Sequence, residues 1–235
     1  MSVAKEQREK LIWEFPNIGK KAPEQEEKAF AYCEGYKEFL NVAKTEREFV
    51  REAVLRLKEA GYEEFEEGKI YQPGDKVYQI NRKKALLMST FGKRPLEDGV
   101  RINVAHIDSP RLDLKPNPLY EKAEAAYFKT HYYGGIKKYQ WTTTPLAIHG
   151  VFSRADGTTV SVNVGEDEND PVFCITDLLP HLSAEQSERK LSDGIKAEEL
   201  NILIGSDAVE DEEVKEAVKL NTMILLNEKY GITEK

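Results

Sequence analysis

The residues best suited to chemistry in this chain are His106 and Asp108, within Val104-Ala-His106-Ile-Asp108-Ser-Pro110. In extended backbone, residues two apart face the same side. One can bind a metal through its imidazole while the other, a carboxylate, fixes the ring and its tautomer. A hydrolytic metal centre needs roughly three protein ligands and an open position for water. A two-metal centre adds a bridging carboxylate and usually a separate base. The other histidines are His131, His149 and His181. His131 sits among Tyr127, Phe128, Tyr132 and Tyr133 and reads as a packing or surface residue. His149 falls inside an expected strand and reads as structural, whereas His181, after Leu178-Leu-Pro180, is the better functional candidate. Glu212-Glu213 has the types for ligand plus base. It lies in an acidic first helical turn, though, where the helix dipole and solvent explain it. Gly134-Gly135 reads as a turn or a close approach. The sequence contains no phosphate loop, dinucleotide fingerprint, Cys-x-x-Cys or nucleophile elbow.

The elements that must position these residues follow from periodicity. Pro23 to about Ala43 reads as a helix, with Pro23 in its first turn, Glu24, Glu26 and Glu27 at its positive end, and Phe30, Cys33, Tyr36, Phe39 and Leu40 at three- and four-residue spacing. Thr45-Glu-Arg-Glu48 fits a capping box opening a second helix, whose stripe is Phe49, Val50, Ala53, Val54 and Leu57 and whose end is Gly61. Val77–Ile80 and Leu86–Phe91 read as strands around the polar turn Asn81-Arg-Lys-Lys84. The run Val100-Arg-Ile-Asn103 then reads as a buried strand that delivers His106 at its carboxyl end, where sites gather in open α/β sheets. This order of helices and strands predicts a layered α/β domain. After Pro110 the chain turns rich in Pro, Tyr, Lys and Gly. Leu146–Gly165 predicts a hairpin about Ala155-Asp-Gly157; Val172–Leu179 and Leu200–Ile204 read as strands, and Asp211–Tyr230 as one amphipathic helix stopped by Gly231.

Composition sets bounds on partners. The 235 residues suffice for one large domain or two modest ones. Asp and Glu number 42 against 34 Lys and Arg, a net charge of −8 with no basic cluster, which argues against nucleic acid or an anionic membrane as partner. No apolar run approaches the roughly 20 residues needed to span a bilayer, and the amino terminus lacks a signal-peptide core. Cys33 and Cys174 make no disulfide framework. A cytoplasmic protein is the simplest expectation.

Several segments together resemble a known family. Ala105-His-Ile-Asp-Ser-Pro110, Leu112-Asp-Leu-Lys-Pro116, Tyr133-Gly-Gly135 and Trp141 are similar to the aspartyl aminopeptidase family of zinc metallopeptidases. Tyr132-Tyr-Gly-Gly-Ile-Lys-Lys-Tyr-Gln-Trp141, Pro145-Leu-Ala-Ile-His-Gly150 and Asp170-Pro-Val-Phe-Cys-Ile-Thr-Asp-Leu-Leu-Pro-His-Leu182 resemble its bacterial aminopeptidase 1 branch. The likeness runs in order over nearly the whole chain. It implies removal of N-terminal residues from peptide substrates by a two-zinc site. His106 would be a zinc ligand, Asp108 the carboxylate orienting it, and His181 the histidine that reaches a neighbouring subunit's active site. It further implies that residues 1–111 are the N-terminal part of a three-layer α/β catalytic domain. Residues 112–235 would be a mainly β dimerisation domain building homo-oligomers, dodecamers in the complete family. Members are longer than this chain, and the bridging aspartate, the glutamate pair, the next carboxylate and the final histidine are expected outside it. Thr142-Thr-Thr144 also replaces the acidic–basic pair that follows the tryptophan in many relatives. The expectation is the N-terminal half of a zinc aminopeptidase, inactive alone; the alternative is a non-catalytic truncated paralogue acting as an assembly module.

Overall fold

A computed structural model of the chain describes residues 2–13, 15, 19, 22–154, 156–211 and 213–234. The chain divides into two units, Met1–Ile107 and Asp108–Lys235.

Among the described residues, the helices of the first unit are α1 (Val3–Leu11), α2 (Pro23–Val42) and α3 (Glu46–Glu59). The capping box at α3 forms as the sequence predicts: Thr45 Oγ1 accepts from the Glu48 backbone N–H at 3.4 Å, and Glu48 Oε2 accepts from the Thr45 N–H at 3.0 Å. Gly61 follows α3 with φ of +81°, the left-handed conformation that favours glycine after a helix. The strands β1 (Glu63–Glu64), β2 (Lys76–Asn81) and β3 (Ala85–Thr90) make a mixed sheet in the order β1-β2-β3, with β1 parallel and β3 antiparallel to β2. Between the paired Asn81 and Ala85, a three-residue connection places Arg82 and Lys83 at positive φ, and the Lys84 N–H donates to the Asn81 carbonyl at 3.0 Å. Helix α3 packs on β2 and β3, and Val50, Val77 and Tyr78 are buried there.

The predicted strand before His106 does not form. Residues 99–110 carry no regular structure, and Val100, Ile102 and Val104 stand 62%, 75% and 89% exposed. The apolar alternation suits a strand, but a strand exists only through ladder partners, and no described strand pairs with this segment.

The second unit is built on β4 (Arg111–Lys122), β5 (Ala125–Tyr133), β6 (Ile148–Ser153) and β7 (Thr159–Val164). A short helix α4 (Ala184–Ser187), strand β8 (Ile202–Gly205) and helix α5 (Ala217–Tyr230) complete it. The strands form an antiparallel sheet in the order β4-β5-β8 and a separate β6–β7 hairpin. The β4–β5 register shifts between Leu114 and Leu119, where Pro116 and Pro118 offer no N–H to the ladder. Leu119, Phe128, Val162, Phe173, Ile175, Leu200, Ile202 and Val218 belong to one buried cluster, with Trp141 packed against it. Thr130, buried in the sheet, donates its hydroxyl to the carbonyl of Leu200.

Two further expectations are corrected. The stretch 172–179 makes isolated bridges, Leu146 with Phe173, Thr142 with Ile175 and Cys174 with Leu203, rather than a strand. Helix α5 begins at Ala217 rather than Asp211, because Glu216 adopts the left-handed conformation at φ +53° and breaks the helical run. Its end at Gly231 is as expected. The predicted turn Ala155-Asp-Gly157 and the pair Glu212-Glu213 each include a residue, Ala155 and Glu212, that lies outside the described residues.

Candidate functional site

Of the pair singled out by sequence, His106 is the penultimate residue of the first unit and Asp108 the first residue of the second. His106 is exposed, on the irregular segment. Asp108 is half-buried, and the Tyr133 hydroxyl donates to its Oδ2 at 2.8 Å. Tyr133 ends β5, and its ring lies under the Arg111 guanidinium at 4.3 Å. Arg111 in turn donates from Nε to Asp113 Oδ1 at 2.8 Å. Gly134, next to Tyr133, has φ of +83°, and a Cβ there would sit 3.4 Å from Pro110 Cα. The space beside Pro110 would admit a Cβ in ordinary contact; the left-handed backbone at φ +83° is what favours glycine here. The carboxylate is therefore fixed from Tyr133, a contact that sequence reasoning missed. The adjoining Gly134-Gly135 reads in the sequence as a turn or a close approach, and Gly134 does lie near Pro110.

His181 lies on an exposed 3₁₀ turn, Pro180–Leu182, within the second unit. Just before it, Asp177 gathers several donors. Its Oδ1 accepts from the Leu178 N–H at 2.8 Å and from Gln186 Nε2 at 3.0 Å, and its Oδ2 accepts from Thr142 Oγ1 at 3.5 Å. His131 stacks on Tyr132 with centroids 5.7 Å apart. His149 Nε2 lies 2.9 Å from Glu166 Oε1, joining β6 to the loop after β7.

Zinc is the group the sequence resemblance implies. Among the described residues, no three His, Cys, Asp or Glu side chains are grouped to hold a metal ion. A zinc centre of roughly three protein ligands does not fit the described residues of this chain by themselves. What the arrangement offers is one imidazole and one carboxylate already held by a tyrosine.

The family model described as "Aminopeptidase I zinc metalloprotease (M18)" matches residues 39–235. The chain belongs to this family, the M18 aminopeptidases. A relative from Clostridium acetobutylicum, named "Probable M18 family aminopeptidase 1", is 52% identical over 229 residues, which is 95% of this chain and 49% of the relative. The crystal structure of an M18 aminopeptidase from Thermotoga maritima matches with a TM-score of 0.85 at 45% identity, over 94% of this chain and 48% of that one. Aminopeptidase I from Clostridium acetobutylicum matches with 0.83 at 47% identity, over 95% and 50%. A yeast aminopeptidase dodecamer, 17% identical with a TM-score of 0.56 over 86% of this chain and 45% of that one, shares the fold alone. The chain spans about half the length of the curated relatives it matches. No described helix is long and apolar enough to cross a membrane.

Proposed function

We propose that this chain supplies the N-terminal half of a zinc-dependent aminopeptidase that removes N-terminal residues from peptides, and that it is inactive by itself. One observation carries the reading: identity of 52% across 95% of the chain, but only 49% of the relative. In the assembled enzyme His106 is one zinc ligand, Asp108 orients it, and the remaining ligands and the base come from outside this chain. The Tyr133 hydrogen bond supports a positioned Asp108. The exposed alternation Val100, Ile102, Val104 supports a strand awaiting partners. Residues 1–111 then belong to the catalytic α/β domain. Residues 112–235 form the dimerisation domain, through which His181 reaches a neighbouring subunit. The buried cluster of the second unit, built from its own strands and helix, supports its standing as a domain of its own. Two free cysteines, Cys33 and Cys174, suit a reducing cytoplasm.

A second reading, a non-catalytic assembly module, is favoured by one observation: no three-ligand group is present among the described residues. Mixing decides between them. The purified chain alone is expected to show no aminopeptidase turnover. Addition of the uncovered C-terminal half of the Clostridium relative should give zinc-dependent turnover that His106→Ala abolishes. A stoichiometric complex without turnover would favour the assembly module. Zinc-dependent turnover by the chain alone, lost in His106→Ala, would overturn the claim that it is inactive by itself.

A further inference from the structure

Residues 178–186 carry a 3₁₀ turn, Pro180–Leu182, and the start of α4, and one carboxylate joins the two ends of this excursion. Asp177 Oδ1 accepts at the start from the Leu178 N–H (2.8 Å) and at the finish from Gln186 Nε2 (3.0 Å). Its Oδ2 accepts from Thr142 Oγ1 (3.5 Å), whose hydroxyl also lies 3.1 Å from the Tyr139 carbonyl. Thr142 is buried, and it bridges to Ile175, which is only 1% exposed. The closing carboxylate therefore lies beside a buried residue. Inside the excursion, Leu182 N–H donates to the Leu179 carbonyl at 2.8 Å, and Ser187 N–H to Ser183 at 2.8 Å. The loop is internally bonded, yet Leu178, Leu179 and Leu182 turn outward, all more than half exposed, around an exposed His181. An exposed apolar loop without a tie at both ends would sample many shapes.

The geometry points to Asp177 as the positioning residue of the His181 loop. By accepting from the Leu178 N–H at one end and the Gln186 amide at the other, its carboxylate presents His181 and the three leucines in one fixed shape. This rests on the proposed role of His181. The loop need not order itself when it meets a neighbouring subunit, so the cost of docking falls.

The test uses the full chain and a swap of hydrogen-bonding polarity. Asp177→Ala removes the acceptor, and Gln186→Glu sets two carboxylates against each other. The double variant Asp177→Asn with Gln186→Glu restores a donor facing an acceptor. Hydrogen exchange of 178–187 is expected to quicken about fivefold or more in each single variant and to return toward the parent in the double. Amides of β4 and β5 serve as the unchanged reference. The His181 imidazole resonance should move to its random-coil position in the single variants and back in the double. An unchanged loop in Asp177→Ala, or a double variant as loose as Gln186→Glu, overturns the proposal, and so does a loss of protection spread over β4 and β5. A second arm separates this from the role of His181 in the reconstituted enzyme. If His181→Ala leaves turnover intact while Asp177→Ala loosens the loop, the reading of His181 fails and the positioning by Asp177 stands. If both variants lower kcat equally and their combination lowers it no further, both stand.

Discussion

The two units treat their apolar residues in opposite ways. The second gathers eleven buried residues, contributed by β4, β5, β7, β8, α5 and the segments between them, into one cluster. Among the described residues of the first, only Val50, Val77 and Tyr78 are buried apolar side chains, while Phe30, Tyr36, Leu40, Leu87, Met88 and Ile102 stand open to solvent. On β3 the neighbours Leu87 and Met88 are both exposed although they point to opposite faces, so the contact with α3 leaves much of this strand's apolar surface open. Burial is the main favourable term in folding, near 25 cal/mol per Å² of apolar surface. The second unit therefore carries most of the stability. The first encodes apolar surfaces that its own described residues do not cover. A sequence records where a surface is apolar; which surface covers it is a tertiary fact.

The largest expected effect separates the units by stability. Ile175→Ala should cost about 2–5 kcal/mol, since the side chain sits in a closed cluster that cannot collapse around the space left. Val104→Ala should stay within about ±0.5 kcal/mol, because that side chain is 89% exposed. Trp141 packs on the cluster whereas Trp13 is exposed, so denaturant unfolding followed by fluorescence reads the second unit. Equal midpoint shifts for the two variants would break the comparison.

A smaller effect tests whether the first unit has any local order of its own. Thr45→Ala removes one half of the capping box of α3 and should cost about 1 kcal/mol of helix stability. Hydrogen exchange of residues 46–52 should quicken, with the β4–β5 amides unmoved. Slowed or unchanged exchange would mean that packing rather than the cap holds α3.

What was legible in the sequence divides along the same physical line. Helices α2 and α3, the capping box, the β2–β3 hairpin and the glycine stop of α5 are set by residues near in sequence, and their spacing read correctly. The β4–β5 hairpin went unread because its turn, Ala123-Glu124, takes positive φ at both positions without glycine or asparagine, and because Pro116 and Pro118 interrupt the pattern. The strand before His106 was read from a real alternation whose ladder partners the described residues do not supply. At the candidate site, the type and spacing of His106 and Asp108 were visible. The tyrosine that holds Asp108 lies 25 residues further on, and Asp177 meets Thr142 across 35. Nothing local announces contacts at that separation.

The smallest expected effect is a dependence on pH confined to the second unit. The Asp170 carboxylate accepts the Gly165 N–H at 2.8 Å and also the Asp167 N–H, and Lys229 lies 3.5 Å away. The Gly165 hydrogen bond above all, then Asp167 and Lys229, holds its carboxyl below the ordinary value of 3.8. A folded value below the unfolded one stabilises the fold above the unfolded value, and that contribution is lost as pH falls through the folded one. Asp170→Asn keeps an oxygen for Gly165 but removes the charge that Lys229 and the two N–H groups favour. The variant should therefore be slightly less stable than the parent at pH 7, and the difference should shrink toward zero as both are taken below pH of about 3. Urea midpoints at the two pH values measure it. A gap that widened on acidification would mean that Asp170 is destabilised as a carboxylate, so that the β7 loop, unlike the cluster beneath it, is held by something other than this charge.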